Sequence, residues 1–320
     1  MTGTLILGGG GMIGQKLAHR LGGDADLKLF DIGFPPDSPA MTNQTIGSLT
    51  NPAQIARLAA TRPDVIYHLA AIVSGEAEQD FEKGWDINMM SMWHLLEALR
   101  QEHVASGGDY RPRIVFTSSI AVFGGPYPEQ IEDVFLSAPQ TSYGAQKATA
   151  ELMLADFSRK GFVDGVSLRL PTICVRPGKP NKAASSFFSG IIREPLNGQE
   201  AILPVPDTVR HWHASPRAAV GFLIHAAGLD TARLEGRRAL NLPGISCTVA
   251  DQIEALRRAA GQEAVDRVKV QLDPDIMKIV EGWPRDFDPA RALSLGFTAE
   301  QSFDEIISVY MEEDMPSGRD

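Results

Sequence analysis

The sequence predicts an α/β protein: a doubly wound parallel sheet with a smaller, interleaved C-terminal α+β portion. Short continuous apolar runs alternate with helical periods as far as Pro171, the pattern of buried parallel strands joined by crossover helices. A glycine cluster stands between the first apolar run and the first helical period. Beyond Pro171 the stretch PTICVRPGKPNKAASSFFSG is rich in Pro, Gly, Ser and basic residues and keeps no clean period, which suits a segment that shapes a ligand.

The first strand is TLIL, Thr4 to Leu7. Gly8, Gly9, Gly10 and Gly11 follow at once, and MIGQKLAHRL reads as a helix with Ile13, Leu17 and Leu21 on one stripe. The glycines satisfy both G-x-G-x-x-G, at Gly9, Gly11 and Gly14, and G-x-x-G-x-x-G, at Gly8, Gly11 and Gly14. Glycines permit the tight turn and close backbone approach, and the helix N-terminus offers N–H groups to a pyrophosphate. LKLFD is the second strand and ends in Asp31, where a Rossmann-type dinucleotide unit carries the carboxylate that accepts from a ribose diol. That charge would repel the 2'-phosphate of NADP, and Ile32, Gly33 and Phe34 bring no arginine to offset it. NAD is therefore the expected cofactor, with a solvated strand-end carboxylate as the plainer alternative.

Asn51 and Pro52 are an N-cap and a first-turn proline, opening a helix through Ala60. VIYHLAA, Val65 to Ala71, is the next buried strand. WDINMMSMWHLLEALR is a long helix in which Trp85, Met89, Met92, Leu96 and Leu99 keep helical spacing, while Met90, Trp93 and Leu95 widen the apolar surface. Such a helix either packs on both the sheet and a second subunit or lies deep in one core. RIVFTSS, Arg113 to Ser119, delivers Ser119 to a strand's C-terminal end, where ligands of open α/β sheets bind, although Ser118 and Ser119 could equally cap a turn. GVSLRLP supplies a further strand ending at Pro171. RHWHASPRAAVGFLIHAA, from Arg210, reads as a return to the main domain with another helix, and NLPGISCTVADQIEALRRAAG opens a small α+β portion running to Asp320. The expected division assigns residues 1–170 and 208–240 to NAD binding and residues 171–207 and 241–320 to substrate binding.

YGAQK places Tyr143 and Lys147 at i and i+4, on one helix face. Tyrosine has an unperturbed pKa of about 10, and a base useful near neutrality needs roughly 3 units less, about 4 kcal/mol. A lysine charge ~4 Å away at an effective dielectric of ~20 is worth roughly 4 kcal/mol. The pair can therefore handle a proton, while a surface lysine one turn from a tyrosine is the bland reading of so short a pattern.

With 30 basic and 40 acidic residues the formal charge is -10, which argues against a nucleic-acid binder or a polybasic membrane-surface protein. An anionic small substrate stays compatible, because one arginine can bind a carboxylate whatever the global charge. Cys174 and Cys247 form no disulfide framework and show no metal-ligand spacing; they read as small apolar fillers in a reducing compartment. The N-terminus lacks a basic n-region and runs straight into glycines, and no segment of ~20 apolar residues is present to span a bilayer. A cytoplasmic protein is expected.

GGGGMIG, Asp31, YHLAA, Asn88, FTSSIAVFG, YGAQK, LRLPTICVRPG and DFDPARALSLGF, in that order, resemble the extended short-chain dehydrogenase/reductase family over almost the whole chain. The stretch PTICVRPGKPNKAASSFFSGIIREPL is most similar to a group within it that oxidises small sugar acids such as D-erythronate, rather than to the sugar-nucleotide epimerases. The resemblance implies Tyr143 as catalytic base, Lys147 as the residue that lowers its pKa and holds the nicotinamide ribose, and Ser119 as the hydroxyl on the reacting oxygen. It implies Gly8, Gly11, Met12, Ile13 and Gly14 at the pyrophosphate, Asp31 at the adenosine ribose, and Ser48 and Leu49 near adenine. Leu69, Ala70 and Ala71 would form the wall beside the cofactor, Asn88 would steady the central helix and strand, and Pro171 and Ile173 would lie over the nicotinamide amide. Leu7, Ser48 and Phe123 depart from the family pattern, standing where a threonine, an aspartate and a tyrosine are frequent.

The reaction so implied is NAD-dependent oxidation of the C2 hydroxyl of a sugar acid. The substrate carboxylate calls for a guanidinium, with Arg176 and Arg210 as candidates, and Ser74 and Asn181 are candidate hydroxyl partners beside Ser119 and Tyr143. A sugar-nucleotide epimerase or dehydratase that retains its NAD, and a non-catalytic NAD-binding sensor on the same fold, are the alternatives. A homodimer through the helices near 85–102 and 143–160 is a further expectation from the family.

Overall fold

In the computed structural model, which describes residues 3–22, 26–36, 38, 43–178 and 184–315, TLIL is an inner strand of a seven-stranded sheet. Its strands are β1 (Thr4–Leu7), β2 (Leu27–Asp31), β3 (Gln44–Ile46), β4 (Val65–His68), β5 (Arg113–Ser119), β6 (Asp164–Leu170) and β7 (Ala239–Asn241). They lie in the order β7-β6-β5-β4-β1-β2-β3. β1 pairs in parallel with β2 and β4, β2 with β3, β4 with β5, and β6 with β7. The strand order reverses between β1 and β4, which opens a crevice at their C-terminal ends. The expected doubly wound α/β fold is the one observed.

Four helices matter for the site: α1 (Met12–Arg20), α2 (Pro52–Ala59), α3 (Ser91–Ala105) and α4 (Ser142–Arg159). Asn51 caps α2 through its side-chain oxygen, which accepts from Ala53 and Gln54 N, and Pro52 occupies the first turn as its fixed φ favours. Leu5, Leu7, Ile66, Ile114 and Phe116 from the sheet pack with Met92, Leu95, Leu96 and Leu99 of α3 and with Ala150 and Leu154 of α4. These elements form one compact unit of residues 1–122, 139–169 and 220–241.

The single helix expected from Trp85 to Arg100 is interrupted. An α turn at Phe81–Trp85 passes into a π segment at Asp86–Met90 before α3 begins. On α3, Met92, Leu96 and Leu99 are buried while Trp93 is 41% exposed.

The second compact unit comprises residues 123–138, 170–219 and 242–320. Arg210–Ala214 pairs antiparallel with Ile245–Thr248 and parallel with Thr172–Ile173, so RHWHA is a strand of this small sheet and not of the large one. Its helices include Ser186–Leu196, Val249–Val265 and Phe303–Glu313, whose Phe188, Ile191, Leu256, Ile306 and Ile307 share one core. A capping box, Thr248 with Asp251, fixes the start of the second of these helices. No helix among the described residues is long and apolar enough to cross a membrane.

Candidate active site

Backbone geometry dictates the glycines. Gly8 leaves β1 with φ +89°, and a Cβ there would lie 2.6 Å from the Ala70 nitrogen, so the turn passes against the end of β4 only without a side chain. At Gly14 a Cβ would lie 2.2 Å from the Gly8 carbonyl oxygen, so α1 can begin this close to the loop only with glycine. Gly11 is the N-cap of α1 and provides no side-chain cap for the first-turn N–H groups, the arrangement that suits an anion at a helix start.

Asp31 ends β2 beside this turn. Its Oδ2 accepts from Gly10 N at 2.8 Å and its Oδ1 from Ile32 N at 2.6 Å, which fixes the carboxylate against the glycine loop. The turn, Asp31 and the segment after β4 enclose a cavity of about 370 Å³. Gly8, Gly11, Asp31, Ser48, Leu49, Leu69, Ala70 and Ala71 line it. Met12, Ile13 and Gly14 sit in the first turn of α1. Gly10 of the glycine cluster also lines the cavity, as do Ile72 and Ile87, which were not singled out from the sequence. Ser48 N donates to Gln54 Oε1 at 2.7 Å, and its Oγ shares a 2.8 Å hydrogen bond with Thr50 Oγ1. A cradle closed to Cβ atoms, a helix start without a side-chain cap and a strand-end carboxylate fit the ADP half of NAD.

Further along the sheet, β5 delivers Ser119, whose Oγ accepts from Ala121 N at 3.1 Å and so also caps the following turn. Thr141 caps α4 by accepting from Gly144 N at 3.1 Å. A Cβ on Gly144 would lie 2.1 Å from the Ala121 carbonyl oxygen, so the start of α4, with Tyr143, seats directly on the turn after Ser119.

Lys147 is 1% exposed. Its Nζ donates to the Thr117 carbonyl at 2.9 Å and lies 5.7 Å from the centroid of the Tyr143 ring and 4.7 Å from that of Phe116. Burial pushes the ammonium down to about 7, against the opposing pull of Glu151. The Coulomb help to a Tyr143 phenolate therefore depends on what keeps Lys147 protonated. His68, 1% exposed at the end of β4, is pushed down to about 3, first by burial and then by Lys147, and is neutral.

Asn88 lies in the π segment and joins two parts of the unit. Its Oδ1 accepts from Ile72 N at 2.9 Å and its Nδ2 donates to Gln146 Oε1 at 2.8 Å, tying the segment after β4 to the residue preceding Lys147. Beyond Lys147, Glu151 accepts from Ser118 Oγ at 2.5 Å and pairs with Arg169 Nη2 at 2.7 Å. Sequence reasoning missed this network, although Glu151 continues the i, i+4 series of Tyr143 and Lys147.

Ser74 opens the short helix Ser74–Gln79. In the second unit Pro171 and Ile173 are buried, and Arg176 donates from Nε to the Ile173 carbonyl at 2.9 Å. Arg210 is exposed and its Nη1 donates to the Ser246 carbonyl at 3.2 Å. Asn181 lies outside the described residues.

Fold and site together define a dinucleotide-binding α/β enzyme. The NAD dependent epimerase/dehydratase family matches residues 4–214, and the chain belongs to that family, as its motifs led one to expect. Among its relatives is a D-erythronate dehydrogenase of Cupriavidus necator, 46% identical over 97% of this chain and 98% of that protein. Another, of Haemophilus influenzae and with the same name, is 41% identical over 98% and 99%. A crystal structure of a nucleoside-diphosphate-sugar epimerase from Agrobacterium tumefaciens is 52% identical, with TM-score 0.92, over 98% of this chain and 94% of that one. The chain is an NAD-dependent oxidoreductase.

Proposed function

We propose that this protein oxidises the C2 hydroxyl of a small sugar acid, D-erythronate, to the 2-oxo acid. The observation that carries the chemistry is a lysine with 1% exposure held one helical turn from Tyr143, its Nζ 5.7 Å from the phenol ring. Tyr143, as phenolate, takes the hydroxyl proton; Lys147, as ammonium, lowers the cost of that phenolate; Ser119 donates a hydrogen bond to the reacting oxygen. Bound NAD supplies the acceptor for the hydride. The glycine turn would hold its pyrophosphate and Asp31 its adenosine ribose. For the substrate carboxylate a guanidinium partner is assigned, Arg176 or Arg210. The choice of substrate is supported by the two relatives that carry the name D-erythronate dehydrogenase.

A second reading, a nucleotide-sugar epimerase that retains NADH for a return step, is favoured by the name of the Agrobacterium tumefaciens structure. One assay separates them. Free NADH, followed by its absorbance, should accumulate with four- or five-carbon aldonates, and Arg176→Ala or Arg210→Ala should raise KM for them. Isomerisation of a nucleotide sugar with no net NADH and no response to any aldonate would sink the dehydrogenase reading. We also propose a homodimer through α3 and α4, where Trp93 is 41% and Leu152 is 72% exposed. A monomeric mass by light scattering would end that assignment.

A further inference from the structure

We infer that Glu151 is a positioning residue for the proton-handling pair: clamped by Arg169 and Ser118 one turn beyond Lys147, its carboxylate keeps Lys147 an ammonium and fixes the strand end that carries Ser119. The inference rests on the reading of Tyr143 and Lys147 as base and charge partner.

Tyr143, Lys147 and Glu151 stand at i, i+4 and i+8 of α4, so the three side chains share one face. Glu151 is 6% exposed and Lys147 is 1% exposed. A lone cation in such a place sheds its proton, because burial disfavours the charged form.

The groups facing Lys147 can be named element by element. β4 presents His68, neutral and therefore no counter-ion. β5 presents the Phe116 ring and the Thr117 carbonyl. The π segment reaches α4 through Asn88 and Gln146, both uncharged. Its own helix presents Tyr143 and Glu151, and Glu151 is the charge that raises Lys147 against burial. Arg169 of β6 stands behind Glu151 and forks onto it, with Nε at 3.0 Å from one carboxylate oxygen and Nη2 at 2.7 Å from the other. The same carboxylate accepts from Ser118, the neighbour of Ser119, so one group sets both the charge of Lys147 and the end of β5.

The test reads Lys147 directly, by 13C NMR of protein labelled at lysine Cε, with the Lys147 signal identified by its loss in Lys147→Arg. Glu151→Gln, which preserves the shape and the hydrogen bond to Ser118, should lower the titration midpoint of Lys147 by about one pH unit. On the basic side of its profile kcat should fall about tenfold, while NAD binding is retained. Glu151→Asp, which keeps the charge, should restore most of the midpoint. A merely structural Glu151 would lower kcat at every pH without moving the midpoint, and an unmoved midpoint in Glu151→Gln overturns the inference. Where that variant does not fold, Arg169→Met, which leaves the Glu151 carboxylate to Lys147 without the competing guanidinium, should raise the midpoint, and a midpoint that does not rise overturns the inference. A midpoint that falls while Tyr143→Phe stays active sinks the base assignment and leaves the hold of Glu151 on Lys147 standing. An unmoved midpoint with inactive Tyr143→Phe sinks Glu151 alone.

Discussion

Lys147 in the first unit and His213 in the second are equally inaccessible, at 1% and 0% exposed, yet their charge states near neutral pH differ. Lys147, pushed down to about 7, still carries charge there. His213 is driven well below its ordinary value by burial and then by His211, which is itself held at about 4. The neighbours explain the contrast. Lys147 has a carboxylate one turn away on its own helix, whereas His213 packs edge-on against Phe188, Phe303 and His211 and hydrogen-bonds the uncharged Gln252 at 2.8 Å. A buried cation survives where the fold places an anion beside it, and a histidine among aromatic rings stays neutral. The first arrangement costs stability; the second packs a core.

Tyr143→Phe sharpens this contrast most. It should lower kcat by about 10^2 to 10^4-fold with NAD binding intact, as read by steady-state assay and fluorescence titration. Near-normal turnover would deprive the buried charge of its purpose. Lys147→Met should be inactive and yet more stable at pH 7, by about 3 kcal/mol in urea denaturation, because a charge in dry surroundings is removed. Its advantage should shrink as pH rises from about 7 toward 10.5. Over that range the unfolded lysine holds a proton that the folded one has lost, so the wild type gains stability with pH.

The histidines should show the opposite side. Below pH 6.5 an unfolded histidine binds a proton that His211 refuses until about 4, so stability is full above 6.5 and is lost as pH falls through that window. His211 should account for about 2 kcal/mol of loss between pH 6.5 and pH 5, and His211→Gln should flatten the curve by that amount. If the two curves run parallel, the neutral-core account of this cluster is wrong. The smallest effect is expected at the half-exposed carboxylate. Asp31→Asn keeps an acceptor for Gly10 N but removes the charge, so NAD should bind about tenfold more weakly and NADP should lose less, in a titration with both cofactors.

Local chemistry was the legible part of the sequence. The glycine turn, Asp31 and the pair Tyr143 and Lys147 all express themselves within a few residues, because a tight turn, a strand end and a helix face are short-range constraints. The clamp on Glu151 could not be read that way, since Arg169 comes from β6 and Ser118 from β5 and only the parallel sheet brings them together. RHWHA was read as part of the large sheet's domain because a short strand carries no mark of its partner; pairing with Ile245–Thr248 decided otherwise. Ser119 was left between a catalytic hydroxyl and a turn cap, and its geometry includes the cap.

The π segment at Asp86–Met90 acts as a phase shifter. A turn closed by i→i+5 bonds holds one more residue than an α turn, so the periods before and after it are offset by about one position. From Met92 onward the inward residues are those of the simple helical period, but upstream the buried positions are Gly84 and Asn88, each one residue ahead of Trp85 and Met89. The offset inserts a polar amide into an otherwise apolar stripe and brings a side-chain-free position against α4, where a Cβ on Gly84 would lie 2.5 Å from Gln146 Nε2. Deleting a single residue from 86–90 would restore an unbroken α period and aim Met89 where Asn88 now reaches Ile72 and Gln146. The helix would read as more regular, and the residue before Lys147 would lose its tether.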